Sequence, residues 1–259
     1  MAISLAASGM VGRSTYASTN ADLVNPLTMI PAAFDMAAYD DVNREPGRGK
    51  TIRWMSSPSI YVDTSPEVGT GMPIPASWIS ATQAAAGRFP AQWTGGVLSS
   101  SVSVGGSPPQ DGTPGTIVIR FDNTINPSGC GGKVGQATFG WSGSGELAYG
   151  VVQLALSRLC GASSSVIEAV VGHEIGHTMG LGHLTVPGRS SLMEPSVRLA
   201  GLSPLDRENA SVHYHRAPGH AAPDREPASS ASLNFSRVWS PGGPGDRKVY
   251  VCGEDLDPR

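Results

Sequence analysis

The sequence predicts an α+β fold, a sheet of short strands packed with three helices, and three observations carry that prediction. Runs of β-branched and aromatic residues, separated by Gly, Pro, Asp and Asn clusters, recur between Thr51 and Trp141. Three other stretches place apolar residues at three- and four-residue steps beside helix-start signals. The chain has 259 residues, 39% of them hydrophobic, which is enough to bury a core in one or two domains. Only 15% are charged, and 33 Gly with 21 Pro mark it as loop-rich.

Residues 1–49 are rich in Ser, Ala, Asn and Asp, show no sustained periodicity and read as a leader or flexible arm. The folded domain is expected over 50–217. Thr51 to Trp54 and Ile60 to Val62 are short β-prone runs. Ala76 to Phe89 carries Trp78, Ile79, Thr82, Ala85, Ala86 and Phe89 at helical spacing, with Pro75 near its first turn. Strands are expected at Val97 to Val104, Thr116 to Phe121 and Gln136 to Trp141. Tyr149 to Leu156 suits a buried strand or a helix, and periodicity does not choose between them. A helix is expected over Ser163 to Gly180: Ser165-Val166-Ile167-Glu168 has the capping-box pattern, and Gly180 and Gly182 can end it. A last helix over Pro204 to Tyr214 takes Ser203 as its N-cap and Leu205, Val212 and Tyr214 as anchors. Residues 218–259 read as a Pro/Gly/Ser-rich linker or truncated C-terminal module, with one short β-prone run at Lys248 to Cys252.

The formal net charge of −3 supplies no basic field for a phosphate backbone, which argues against a nucleic-acid partner. No apolar run approaches the roughly 18 residues of a membrane span; Gln153 and Arg158 interrupt the best candidate. The opening residues lack a cationic start and a full apolar stretch, so they make a poor secretory signal. Cys130, Cys160 and Cys252 fit no zinc-finger spacing. Cys130 and Cys160 could close a loop in an exported protein or be two ordinary buried thiols.

The informative stretch is His173-Glu174-Ile175-Gly176-His177-Thr178-Met179-Gly180-Leu181-Gly182-His183. Histidines four apart lie on one helix face and can bring two ring nitrogens to one zinc ion, with bonds of about 2.0–2.1 Å. His173 and His177 meet that condition. A glycine at 180 can turn the backbone so that His183 returns to the same ion, and the fourth position stays open for water. Glu174, adjacent to a ligand, can take a proton from that water and later deliver it to the leaving amine. One zinc is expected. Asp111, Asp122, Asn123 and Asn126 could ligate calcium through oxygen, although turns favour these residues in any case. His213, His215 and His220 read as solvated surface histidines.

These residues resemble the metzincin zinc endopeptidases, whose motif is H-E-x-x-H-x-x-G-x-x-H followed by a methionine-containing turn. Ser191-Leu192-Met193-Glu194-Pro195 looks like that turn, and with Leu202-Ser203-Pro204-Leu205-Asp206 and Tyr214 the likeness is greatest to bacterial matrixin-type catalytic domains. The resemblance implies an α/β-like arrangement: a twisted, mainly parallel five-stranded mixed sheet, three helices, and a zinc cleft under one antiparallel edge strand. It implies that Met193 is a structural base beneath the metal. It also implies that the edge strand, with Gln136, Ala137, Thr138, Phe139 and Gly140, pairs with an extended protein or peptide substrate. Glu194 to Leu199 would then wall the pocket for the residue after the scissile bond. A secreted monomer is implied as well. Leu184 departs from the Ser that matrixins usually carry after the third histidine, and no Cys precedes Cys130, so latency through a propeptide thiolate has no residue here.

The leading reading is therefore a zinc endopeptidase. A zinc amidase acting on small or non-protein amides is the alternative within enzymes, and a metal-scaffold binding module that no longer turns over is the alternative outside them. Intact His173, Glu174, His177 and His183 argue against the last.

Overall fold

Strand β3 (Thr116–Phe121) turns Ile117, Ile119 and Phe121 to one face, all buried, with Val118 buried on the other, and such a strand needs neighbours on both sides and a layer packed on its apolar face. The structure, a computed structural model, supplies them within residues 52–126, 132–155, 159–183, 190–215 and 247–252, which are the residues described. The elements are β1 (Ser59–Asp63), α1 (Ala76–Trp93), β2 (Val102–Gly105), β3, β4 (Gly135–Trp141), β5 (Leu147–Leu154), α2 (Ser164–Thr178), α3 (Pro204–His215) and β6 (Arg247–Cys252). The sheet order is β2-β1-β3-β5-β4-β6. Strands β1, β2, β3 and β5 run parallel, and β4 is antiparallel to β5. The predicted five-stranded mixed sheet with three helices is thus present, and a sixth strand extends it. The leader or arm expected at 1–49, Cys130, Leu184 and residues 218–246 lie outside the described residues.

Several element bounds differ from those read in the sequence, each for a traceable reason. Of the Thr51 to Trp54 run, Thr51 lies outside the described residues, and among the rest Arg53 pairs, in an isolated bridge to Glu146. Helix α1 runs past Pro90 to Trp93, because the Trp93 indole donates to the Gly172 carbonyl at 2.8 Å and anchors the extra turn. The strand expected from Val97 starts only at Val102, since the Leu98 amide is taken by the Thr94 hydroxyl at 3.0 Å. The ambiguous stretch is strand β5: its residues from Tyr149 to Leu154 pair parallel with β3, and Leu147 to Leu154 pair with β4 on the other side.

The capping box expected at Ser165 and Glu168 does not form. Ser163 is the N-cap of α2, and Glu168 instead pairs with Arg88 of α1 at 2.8 Å. A reciprocal cap does form at α3, where the Asp206 amide donates to the Ser203 hydroxyl at 3.2 Å and the Ser203 amide to the Asp206 carboxylate at 2.8 Å. His213 is buried, not solvated: its Nε2 donates to the Ile52 carbonyl at 2.8 Å, because α3 places it against the segment that leads into the sheet. The side chains of Val212 and His215, and all of His220, lie outside the described residues.

Helices α1 and α2 pack together on the sheet, α1 against β1 and β2 and α2 against β4 and β5, and α3 packs on α1. Phe89 of α1 fills the space above Gly172, where a β-carbon would collide with its ring. Trp78 stacks on Phe121 with centroids 6.2 Å apart, which ties α1 to β3. Helix α2 in turn lies against β4 and β5, and that contact sets the position of the histidines. Among the described residues no helix is long and apolar enough to cross a membrane.

Candidate metal centre

Helix α2 is buried along nearly its whole length from Ile167 onward, His173, Glu174 and His177 included. Ionisable side chains with no exposure to solvent need partners, and for the two histidines the surrounding backbone provides specific ones. His173 Nδ1 is 2.6 Å from the Leu192 carbonyl oxygen, and His177 Nδ1 is 2.8 Å from that of Leu181. A carbonyl oxygen only accepts, so each Nδ1 carries the proton and each Nε2 presents its lone pair. The two Nε2 atoms stand 3.0 Å apart.

His183 completes the group. Its ring lies 5.5 Å from that of His173 and 4.8 Å from that of His177, and one nitrogen from each of the three falls within 4.8 Å of the others. Burial first, and then the neighbouring histidines, lower the proton affinity of His173 and His177. The His173 imidazole is pushed down to about 3, and His177 is held well below its usual value. Lone pairs that converge in a dry pocket repel one another unless a cation sits between them. The donor set and its backbone-fixed tautomers fit zinc.

The turn that returns His183 depends on Gly180. Its φ is +92°, and a β-carbon there would run into the Ile52 carbonyl. The Leu181 amide closes the helix end on the Gly176 carbonyl at 3.1 Å.

Beneath the histidines Met193 is 1% exposed, and a β-carbon on Gly176 would come within 2.5 Å of its Sδ and 3.1 Å of Trp93. Met193 thus packs directly under the zinc-helix backbone. Its turn is held by Asp206, whose carboxylate accepts from the Ser191 hydroxyl, from the Leu192 amide at 2.9 Å, and from the Ser203 amide and hydroxyl. Leu192 then offers its carbonyl to His173, so Asp206 positions that imidazole through one intervening residue. The expected pocket wall continues from this turn, with Val197 and Leu199 packed against the core.

Glu174 meets β4. A β-carbon on Gly135 would overlap the Glu174 carboxylate, so this strand approaches the glutamate more closely than any other residue type would allow. Of the five expected edge-strand residues, Gln136, Ala137, Thr138, Phe139 and Gly140 all lie in β4. Their outer side is not open. Strand β6 pairs antiparallel along it, from Gly135↔Cys252 to Gly140↔Arg247. Sequence reading had no signal for the role of Gly135, because it precedes the expected strand and its importance lies in a through-space contact. Asp206 was visible only as one letter of a resemblance.

Three of the four calcium candidates are otherwise engaged. Asp111 pairs with Arg120, Asp122 accepts from Thr124 and Gln153, and Asn126 donates to the Lys133 carbonyl. Among the described residues the histidine triad is the group that could hold a metal. Cys160 is disulfide-bonded.

His173 and His177 on an H-E-x-x-H helix, with His183 from the turn beyond it, lie under the antiparallel strand of a mixed sheet in an arrangement compatible with one zinc ion. Residues 98–191 match the family model described as Dual-action HEIGH metallo-peptidase, and His173 to His177 read H-E-I-G-H. The matched span takes in β2 to β5, α2 and all three histidines, and it ends two residues before Met193. No curated protein matches the chain. The match and the triad together support a zinc metallopeptidase, without singling out the matrixin type.

Proposed function

We propose that the chain is a zinc-dependent endopeptidase in which Glu174 is the general base and then the general acid. The observation that carries this reading is the approach of the His173 and His177 Nε2 atoms to 3.0 Å, each with its Nδ1 tied to a backbone carbonyl. His173, His177 and His183 would hold the ion. Zinc, when bound, supplies Lewis-acid polarisation of the scissile carbonyl and a more acidic water.

The protein's own groups do the rest. The Glu174 carboxylate sits in a water-excluded layer between α2 and β4, next in sequence to one ligand and three residues from the other. From there it can accept a proton at the start of hydrolysis and return it to the departing amine. An extended peptide would take its backbone hydrogen bonds from β4, along Gln136 to Gly140. The matrixin-like features beyond the matched span, Met193 under α2 and the Asp206 cap, support a metzincin architecture for this peptidase. The disulfide at Cys160 supports an exported setting, since such bonds persist in oxidising compartments.

The test is hydrolysis of a quenched-fluorescent peptide mixture by the chain and by Glu174→Ala, each with and without a zinc chelator. Turnover that the chelator abolishes and the substitution lowers by roughly a thousandfold is the expected result. Turnover that survives Glu174→Ala would remove the glutamate from the mechanism. Hydrolysis of small amides alone would point to the amidase.

A further inference from the structure

We infer that β6 is a built-in competitor for the peptide-binding edge, so that residues 247–252 must leave β4 before an external peptide can align over the metal centre. The inference rests on the endopeptidase reading and adds a control to it.

Strand β5 takes alternate backbone groups of β4. The Ala155 amide donates to the Val134 carbonyl at 3.0 Å, so the 134/155 pair is hydrogen-bonded. Bonded and non-bonded pairs alternate along an antiparallel ladder. Gln136 and Thr138 therefore turn their N–H and C=O groups toward β5, and Gly135, Ala137 and Phe139 turn theirs the other way. The Leu154 carbonyl agrees, since it faces away from its partner Gly135 and accepts from the Asp122 amide at 2.8 Å. The outward groups of Gly135, Ala137 and Phe139 are the ones an incoming peptide would use. Strand β6 sits opposite all three, with Cys252, Tyr250 and Lys248 as their partners.

Two strands cannot share one edge. The end of β6 is also the part nearest the chemistry: Cys252 lies opposite Gly135, the residue whose Cα abuts the Glu174 carboxylate. The strand thus covers the edge up to the catalytic glutamate, and it comes from the same chain, which makes its effective concentration high.

Proline substitution in the full-length, zinc-loaded chain separates the possibilities. Tyr250→Pro removes the amide that donates to Ala137, and Lys248→Pro removes the one that donates to Phe139. Val249→Pro falls on a residue whose amide points to the outer side, where an edge strand tolerates proline. The readouts are amide hydrogen exchange at Ala137, Thr138 and Phe139, and kcat/KM on the fluorescent peptide. Tyr250→Pro and Lys248→Pro are expected to expose Ala137 and Phe139, to leave Thr138 protected by β5, and to raise kcat/KM roughly tenfold, mainly through KM. Val249→Pro is expected to match the parent. Ala137 and Phe139 exchanging as fast in the parent as in the variants would overturn the inference. So would exposed amides with unchanged kcat/KM in an enzyme that still depends on Glu174. Absence of turnover in every zinc-loaded chain would instead remove the endopeptidase reading, with exchange still reporting whether the strand covers the edge.

Discussion

Gly135 and Asp206 show how much of this site depends on single residues outside the ligand set. A β-carbon at 135 has no room beside the Glu174 carboxylate. Gly135→Ala should therefore shift the carboxylate and lower kcat/KM by at least about tenfold, while zinc content, measured by atomic absorption, stays at one ion per chain. Asp206 accepts from Ser191, Leu192 and Ser203, and Asn would present an amide group where the carboxylate has a second oxygen. Asp206→Asn is expected to cost about 2–3 kcal/mol in urea unfolding. The triad was legible in the sequence because four-residue spacing on a helix is a local geometry, and His173 and His177 need nothing else to meet. The parts played by Gly135 and Asp206 were not legible, because each acts on a residue far along the chain that only the folded backbone brings near.

Between elements, α1 packs against α2 behind the histidines, and the strength of that contact is apolar. Phe89 occupies the space over Gly172 with no exposure, whereas Arg88 and Glu168 form their ion pair at the rim with side chains 42% and 25% exposed. Phe89→Ala should lower stability by about 3–5 kcal/mol, and Arg88→Ala by less than about 1 kcal/mol, in matched denaturant titrations. Equal losses would mean that the rim pair, and not the packed ring, holds the helices together. Element type was readable where a pattern was unambiguous, as in α1 and β3. It failed at bounds that tertiary partners decide: Pro90 does not end α1, because Trp93 finds a carbonyl on α2. The capping box at Ser165 was a sound local pattern that lost its glutamate to Arg88. Strand β5 could be assigned only once β3 and β4 were in place on its two sides.

At the scale of the whole molecule, a metal held by His173 and His177 on α2 and by His183 beyond the Gly180 turn would tie the helix to the chain that leaves it. Stripping zinc should lower the melting temperature, since a ligand at a thousandfold excess over its Kd adds about 4 kcal/mol to the folded state. Differential scanning calorimetry with and without chelator measures it, and identical transitions would show that the triad holds no ion in the folded chain. The parallel sheet was expected from the resemblance as a whole, but its sixth strand was not, because pairing between residues more than a hundred positions apart leaves no local mark. That strand also changes what the sheet presents to its surroundings. Strand β4, Gly135 to Trp141, is a seven-residue run without a charge or a proline, a composition that invites other chains to add to it. Strand β6 moves the border of the sheet outward to a segment that begins Arg247-Lys248. A chain that lost its tail to proteolysis would expose a sticky β4 border, and self-association would then compete with catalysis for the same row of amides.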